Sequence, residues 1–279
     1  MICAWTELLR LLPEWMRKDV DRLGIASLQE LRLRLGKPPE LVLGTNRHLV
    51  DRIVTADDLN FCINSASRYS PWASESVKKG YITAAGGHRI GICGQAVVQQ
   101  GCVTGIRDLT SLCIRIARDF PGVARQLEAY AGSVLIIGSP GTGKTTLMRD
   151  LIRRISNRLC GSVAVVDERG ELFPRETSFE TGKSTDIITG CSKSDGIDMV
   201  LRCMGPATIA VDEITAEGDC EALLRASRCG VDLLATAHAG SMTDLRSRPV
   251  YQKFLEQNLF QWVVILQRDN SWTVERMVK

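Results

Sequence analysis

The spacing of apolar positions changes along the chain, and each change marks a different kind of structure. Leu8, Leu9, Leu11, Leu12, Trp15 and Met16 recur at helical intervals and predict one early helix, bent or started near Pro13. Over residues 28–43 the period drops to two. Leu31, Leu33 and Leu35 point inward between outward Arg32 and Arg34, and Leu41, Val42 and Leu43 follow after Gly36, Lys37, Pro38 and Pro39. That is a hairpin-like pair of strands with a long connection. Residues 55–66 carry Asp57 and Asp58 in the first turn and predict an N-capped helix, with a second short helix at 71–79. Residues 80–118 break into short strands at 81–83, 89–92, 96–98, 102–103 and 113–116, with glycines between them. The expectation is a small α+β domain over 1–118, a linker at 119–125 carrying Pro121 and Gly122, and a second domain over 126–279.

The second domain opens on four apolar residues, 134–137, that read as a fully buried strand. Gly138, Ser139, Pro140, Gly141, Thr142, Gly143, Lys144 and Thr145 then spell G-x-x-x-x-G-K-T without a mismatch. Thr146 continues into a helix on which Leu147, Leu151 and Ile155 share a face. Strand, glycine-rich loop and helix together predict a nucleoside triphosphate site. Glycines let backbone N–H groups converge on an anion, and the helix presents its positive end. Lys144 is expected at the β- and γ-phosphates, and the Thr145 hydroxyl on Mg2+.

Three more apolar runs end in polar residues: 163–167 before Glu168, 209–211 before Asp212 and Glu213, and 231–237 before His238. Helical patterns at 197–203 and 220–228 separate them. Alternating strand and helix predicts a parallel sheet covered on both faces, with ligands at the carboxyl ends of the strands. That places Asp167, Glu168, Asp212, Glu213 and His238 near the same phosphates. The expected order makes 163–167 an intervening strand and puts 209–212 next to the strand that enters the loop. Asp212 is then the acid of the Mg2+ shell and Glu213 the residue that orients and deprotonates water, with Glu168 as second choice. His238 is either a γ-phosphate sensor or a satisfied core histidine.

Composition narrows the class. The chain has 279 residues, 44% hydrophobic and 24% charged, ordinary for a folded soluble protein. A net charge of +3 argues for neither nucleic acid nor an acidic membrane. Aromatic residues make up only 5%, and no Lys/Arg run exceeds three, which places a nucleic-acid-directed P-loop ATPase second, as the alternative. A nucleotide-binding scaffold without turnover fits poorly with Glu213, and no second substrate site suggests a small-molecule kinase. The ten cysteines contain no C-x-x-C and read mostly as small buried hydrophobes in a reducing compartment. The N-terminus has no signal-peptide pattern and no run is long enough to span a bilayer, so a cytoplasmic enzyme is expected.

The ordered boxes VVDERGEL, LRCMGPATIAVDEI and ATAHAGS after the loop resemble those of the hexameric secretion ATPases of type II and type IV systems, and among them members from endospore-forming bacteria. The likeness extends to the first half through ELRLRLGKPPEL, GGHRIGICG and GIRDLTSLCIRIAR. It implies a RecA-like P-loop NTPase domain preceded by a smaller α+β domain, and ATP with Mg2+ as ligands. It also implies a hexameric ring, membrane-embedded channel partners, no nucleic acid, and a role in endospore formation. By the same resemblance the acidic box falls on Asp167, Glu168 and Glu171, the Walker B acids on Asp212 and Glu213, and the histidine box on His238. Arg89, Arg107 and Arg115 match arginines that reach the nucleotide from the first domain. Two departures stand out: secretion ATPases often carry glycine where this chain has Asp212, and the four-cysteine zinc spacing of type II enzymes is missing.

Overall fold

The computed structural model describes residues 1–67, 80–159, 161–174, 177–269 and 271–277. The helix expected at 71–79 lies outside them. Contacts divide the chain into two units, Met1–Arg118 with Pro174–Ser178, and Asp119–Phe173 with Phe179–Lys279.

In the first unit the early apolar stripe forms two helices rather than one, α1 (Trp5–Arg10) and α2 (Glu14–Ser27). Pro13 lacks an N–H and stands as the N-cap of α2, where that donor is not needed. Strands β1 (Glu30–Arg34), β2 (Glu40–Leu43) and β3 (Asn46–Leu49) follow. Leu31 and Leu33 are buried as the alternation requires, but Leu35 lies past the end of β1 and is exposed. Helix α3 (Ala56–Ser67) is capped reciprocally: the Thr55 hydroxyl accepts the Asp58 N–H at 3.2 Å and the Asp58 carboxylate accepts the Thr55 N–H at 2.9 Å.

The short strands expected after residue 80 merge. Following β4 (Tyr81–Thr83), β5 (Arg89–Gln99) and β6 (Cys102–Arg115) pair along their length across two register shifts. Gly94 and Gly105, read as breaks, lie inside the paired strands at the register shifts, while Gly86, Gly87 and Gly101 stand in turns between strands. At Gly94 a Cβ would stand 2.6 Å from the Arg107 carbonyl. Among the described residues the sheet is antiparallel with order β3-β2-β1-β6-β5-β4, and α1, α2 and α3 contribute to the core on its apolar face.

The second unit is the parallel α/β layer. Its elements are β7 (Val134–Gly138), α4 (Lys144–Ser156), β8 (Val163–Asp167), β9 (Thr185–Thr189), α5 (Lys193–Cys203), β10 (Thr208–Val211), α6 (Glu217–Arg228) and β11 (Asp232–Ala237). Then come α7 (Met242–Ser247), α8 (Pro249–Glu256), β12 (Trp262–Leu266) and β13 (Trp272–Arg276). The order is β13-β12-β7-β11-β10-β8-β9, parallel except where β13 pairs with β12. This corrects the expected neighbour of the loop strand. β11, not β10, lies beside β7, with Leu234 opposite Val134 and Ala237 opposite Ile137. Leu135, Ile137, Ala164 and Val166 pack against Ile197, Leu223 and Phe254 on one face, while α4 packs across the other. With both faces covered, the central strands β7, β8, β10 and β11 are largely apolar.

The cysteines also depart from expectation. Cys62 and Cys220 are buried, and burial pushes the Cys62 thiol up to about 12. Cys93, Cys102, Cys203 and Cys229 are exposed, because an apolar neighbour in sequence does not place a residue on the same face of a strand or helix.

Helix α4 buries charge as well as leucine. Asp119 is fully buried and pairs with Arg153, with Arg149 3.6 Å away. Arg153 also reaches Asp150 at 2.7 Å, and Asp150 accepts the Ala124 N–H at 2.8 Å. Residues 119–124 are thereby tied to α4. Asp119→Ala leaves two buried guanidinium groups short of a counter-charge and is expected to destabilise the fold by about 3–5 kcal/mol. Chemical denaturation reads this directly, and an unchanged midpoint would show that the network does not hold the segment.

Candidate active site

The phosphate loop is built by backbone shape. Gly138 ends β7 where a Cβ would come within 2.5 Å of the Thr142 hydroxyl, so no larger residue fits. Gly141 and Gly143 have φ of +80° and +89°, conformations that glycine takes without penalty. Gly143 is the N-cap of α4 and Lys144 its first residue, so the helix starts with its free N–H groups turned to the loop. The buried Lys144 ammonium donates to the carbonyls of Gly138 at 2.9 Å and Ser139 at 3.1 Å. Burial lowers its pKa, and the negative charges of Asp212 and Glu213 oppose that shift.

Three strand ends meet this lysine. His238 follows β11, and its Nδ1 lies 3.0 Å from Lys144 Nζ. An ammonium can only donate, so Nδ1 accepts and the ring proton sits on Nε2, which is 3.0 Å from Glu213 Oε1. Glu213 itself has φ of +57°, a left-handed backbone that costs a glutamate about 1–2 kcal/mol. The Thr145 hydroxyl donates to Asp212 Oδ2 at 3.0 Å, and the Thr236 hydroxyl to Asp212 Oδ1 at 2.6 Å. Lys144, Thr145, Asp212, Glu213 and His238 therefore form one connected set.

The acids after β8 behave differently. Asp167 is buried and accepts N–H groups of Glu171, Leu172 and Phe173 at 2.9, 2.8 and 3.3 Å, so it folds the following turn over itself. Burial outweighs these contacts and pushes its carboxyl up to about 6. Glu168 is held by Lys193 at 2.7 Å, from the first turn of α5. Glu168, Lys193, Asp212 and Glu213 line a common cleft with Asp167. On the other side of the loop, Phe120, Val123, Leu147, Leu266 and Trp272 form an apolar recess beside Thr142, Gly143 and Thr146.

The three arginines of the first unit are not equivalent. Arg89 and Arg115 are register partners on β5 and β6, with Arg89 over the Tyr81 ring at 4.0 Å and Arg115 3.5 Å from Glu30. Arg107 stands beyond the bulge and donates to Gln95 at 3.1 Å. Sequence reasoning passed over Thr236, Lys193 and the recess. Only the aromatic and apolar residues around β12 and β13 gave a signal for the last of these.

Residues 5–276 match the family described as Sporulation stage III, protein AA. The chain belongs to that family. The stage III sporulation protein AA of Bacillus subtilis (strain 168) is 35% identical over 278 residues, covering 94% of this chain and 91% of that protein. The protein SEEDLING PLASTID DEVELOPMENT 1 of Arabidopsis thaliana is 26% identical over 259 residues, 88% of this chain but 35% of its own length. Among solved structures, the ATPase DotB of Legionella pneumophila superposes with a TM-score of 0.60 at 17% identity, covering 94% of this chain and 78% of that one. The pilus retraction motor PilT with bound ADP gives 0.59 at 17%, covering 89% and 76%. The chain thus shares the RecA-like fold of these proteins, an α/β P-loop domain preceded by a smaller α+β part. Among the described residues no helix is long and apolar enough to cross a membrane.

The raised Asp167 carboxyl has a signed consequence. Folded, it keeps its proton up to about pH 6, whereas the unfolded chain releases it near 3.8. Its contribution to stability is fully present below the lower value and is lost as pH rises through the upper one. The stability of the wild type relative to Asp167→Asn is therefore expected to fall between those two pH values. Parallel denaturation curves showing no such drift would refute the assignment.

Proposed function

We propose that this chain hydrolyses ATP as a motor subunit of a secretion-like channel assembly acting in endospore formation. The single observation that carries the chemistry is the link from Lys144 through His238 to Glu213. It joins the residue expected at the β- and γ-phosphates to the residue expected at the water. The loop amides, Lys144 and the start of α4 suit a triphosphate. The apolar recess at Phe120 and Trp272 suits a base read by stacking and shape, which fits ATP.

Hard oxygen donors with one charge, Thr145 and Asp212, fit Mg2+. When bound, the ion neutralises charge on the phosphate oxygens. The rest falls to the chain. Glu213 orients and deprotonates water, Lys144 holds the phosphates, and His238 fixes the Glu213 carboxylate. Glu168 is the weaker candidate for the base because Lys193 already occupies it. The loop residues Ser139, Pro140 and Thr146 shape the rim. Lys144→Ala is expected to lose ATP binding by at least about tenfold, in line with a charge-assisted contact. Glu213→Gln is expected to bind ATP and lose about 10²–10⁴ in turnover. Turnover that survives in Glu213→Gln and disappears in Glu168→Gln would reverse the two roles.

The site in one subunit is proposed to be completed by arginines of another, with Arg89, Arg107 and Arg115 as the candidates. Arg89 and Arg115 side by side on paired strands make a rigid cationic pair. This supports a ring, hexameric by resemblance, whose domain arrangement changes with nucleotide state. It would work at the cytoplasmic face of a membrane through channel proteins, without nucleic acid. An arginine supplied across an interface is worth about 10³–10⁵ in rate. Activity per subunit is accordingly expected to rise with protein concentration and to fall in Arg89→Ala or Arg115→Ala. A rate flat across the monomer-to-oligomer transition would leave a simple monomeric ATPase.

A further inference from the structure

The two acids at the end of β10 cannot hold their arrangement alone. The ladder between β10 and β11 stops at Val211 opposite Ala235. Beyond it the chain turns through the left-handed backbone of Glu213, and no regular pairing supports the turn. Support comes instead from one residue of β11. Thr236 is fully buried, and its hydroxyl accepts the Glu213 N–H at 2.7 Å. A backbone N–H can only donate, so the hydroxyl proton has to point elsewhere, and Asp212 Oδ1 lies 2.6 Å away. The Thr236 carbonyl takes the next N–H, that of Ile214, at 2.8 Å.

We propose that Thr236 is the positioning residue of this site, joining the metal-side acid and the water-side acid into one unit. The proposal rests on the roles given above to Asp212 and Glu213. Its hydroxyl holds one oxygen of Asp212 while Thr145 holds the other, which fixes the plane of the carboxylate. The same hydroxyl pins the strained peptide that aims the Glu213 side chain at His238. Both acids therefore depend on a single oxygen of a residue that is itself fully buried. Valine has nearly the shape of threonine, and in its place it would leave a buried N–H without an acceptor and free the carboxylate to rotate. Loss of such a second layer typically lowers metal affinity or activity about 10–100-fold.

The test uses the full chain and titrates ADP by calorimetry, once in EDTA and once in excess Mg2+, beside ATP turnover. In Thr236→Val, binding in EDTA should persist, since it rests on the loop and Lys144. The gain in affinity on adding Mg2+ and the turnover should both fall about 10–100-fold, and Thr236→Ser should restore both. If the valine variant does not fold, Thr236→Ala against Thr236→Ser reads the same difference. The idea fails if the variants without a hydroxyl keep the Mg2+ gain and the turnover. It fails equally if serine behaves as valine does, or if binding in EDTA collapses along with the rest, because the role is then packing alone. A wild-type chain that binds no ADP in either condition would overturn the nucleotide reading itself, and this proposal with it.

Discussion

A parallel sheet covered by helices on both faces leaves its charged residues only one place to go, the strand ends. In the second unit this constraint governs almost everything else. β7, β8, β10 and β11 are largely apolar, and the charged groups of the site stand at or just beyond their carboxyl ends. Because the strands run the same way, those ends lie on one edge. The phosphate loop, two pairs of acids and a histidine are brought together without any loop having to search for the others. The start of α4 adds oriented backbone N–H groups to that edge. The chemistry is thus a by-product of how the core is closed.

Much of this was legible in the sequence, because strand ends and glycine loops are local signals. The loop and the apolar runs before Asp167, Asp212 and His238 are each written in fewer than fifteen consecutive residues. What was not legible depends on distant pairing. The order of strands put β11 beside β7, so that His238 reaches Lys144 from the neighbouring strand. No periodicity encodes that choice. Asp167 and Asp212 look alike in sequence, each closing a run of small apolar residues before a glutamate. They part because the chain after Asp167 turns back and donates three N–H groups to it. Thr236 sits inside an apolar strand and reads as an ordinary β-branched residue until its partners are seen.

The first unit was harder to read for a different reason. Its glycines suggested breaks between short strands, yet β5 and β6 run through Gly94 and Gly105 by bulging. A glycine in the sequence fits a bulge as well as a turn, and only the partner strand tells them apart. Here the alternation of Leu31 and Leu33 with Arg32 and Arg34 was a surer guide, since a strand with one buried face has only one register that fits.

The left-handed backbone at Glu213 sets function against robustness at a single residue. Asparagine or glycine would occupy that conformation with less strain, but neither could take a proton from water. A glutamate there is held in place by a threonine hydroxyl, a histidine ring and the following peptide. On the role proposed for Glu213, heat tolerance and turnover pull this position in opposite directions, and drift toward greater thermal resistance would replace the glutamate before it damaged the fold.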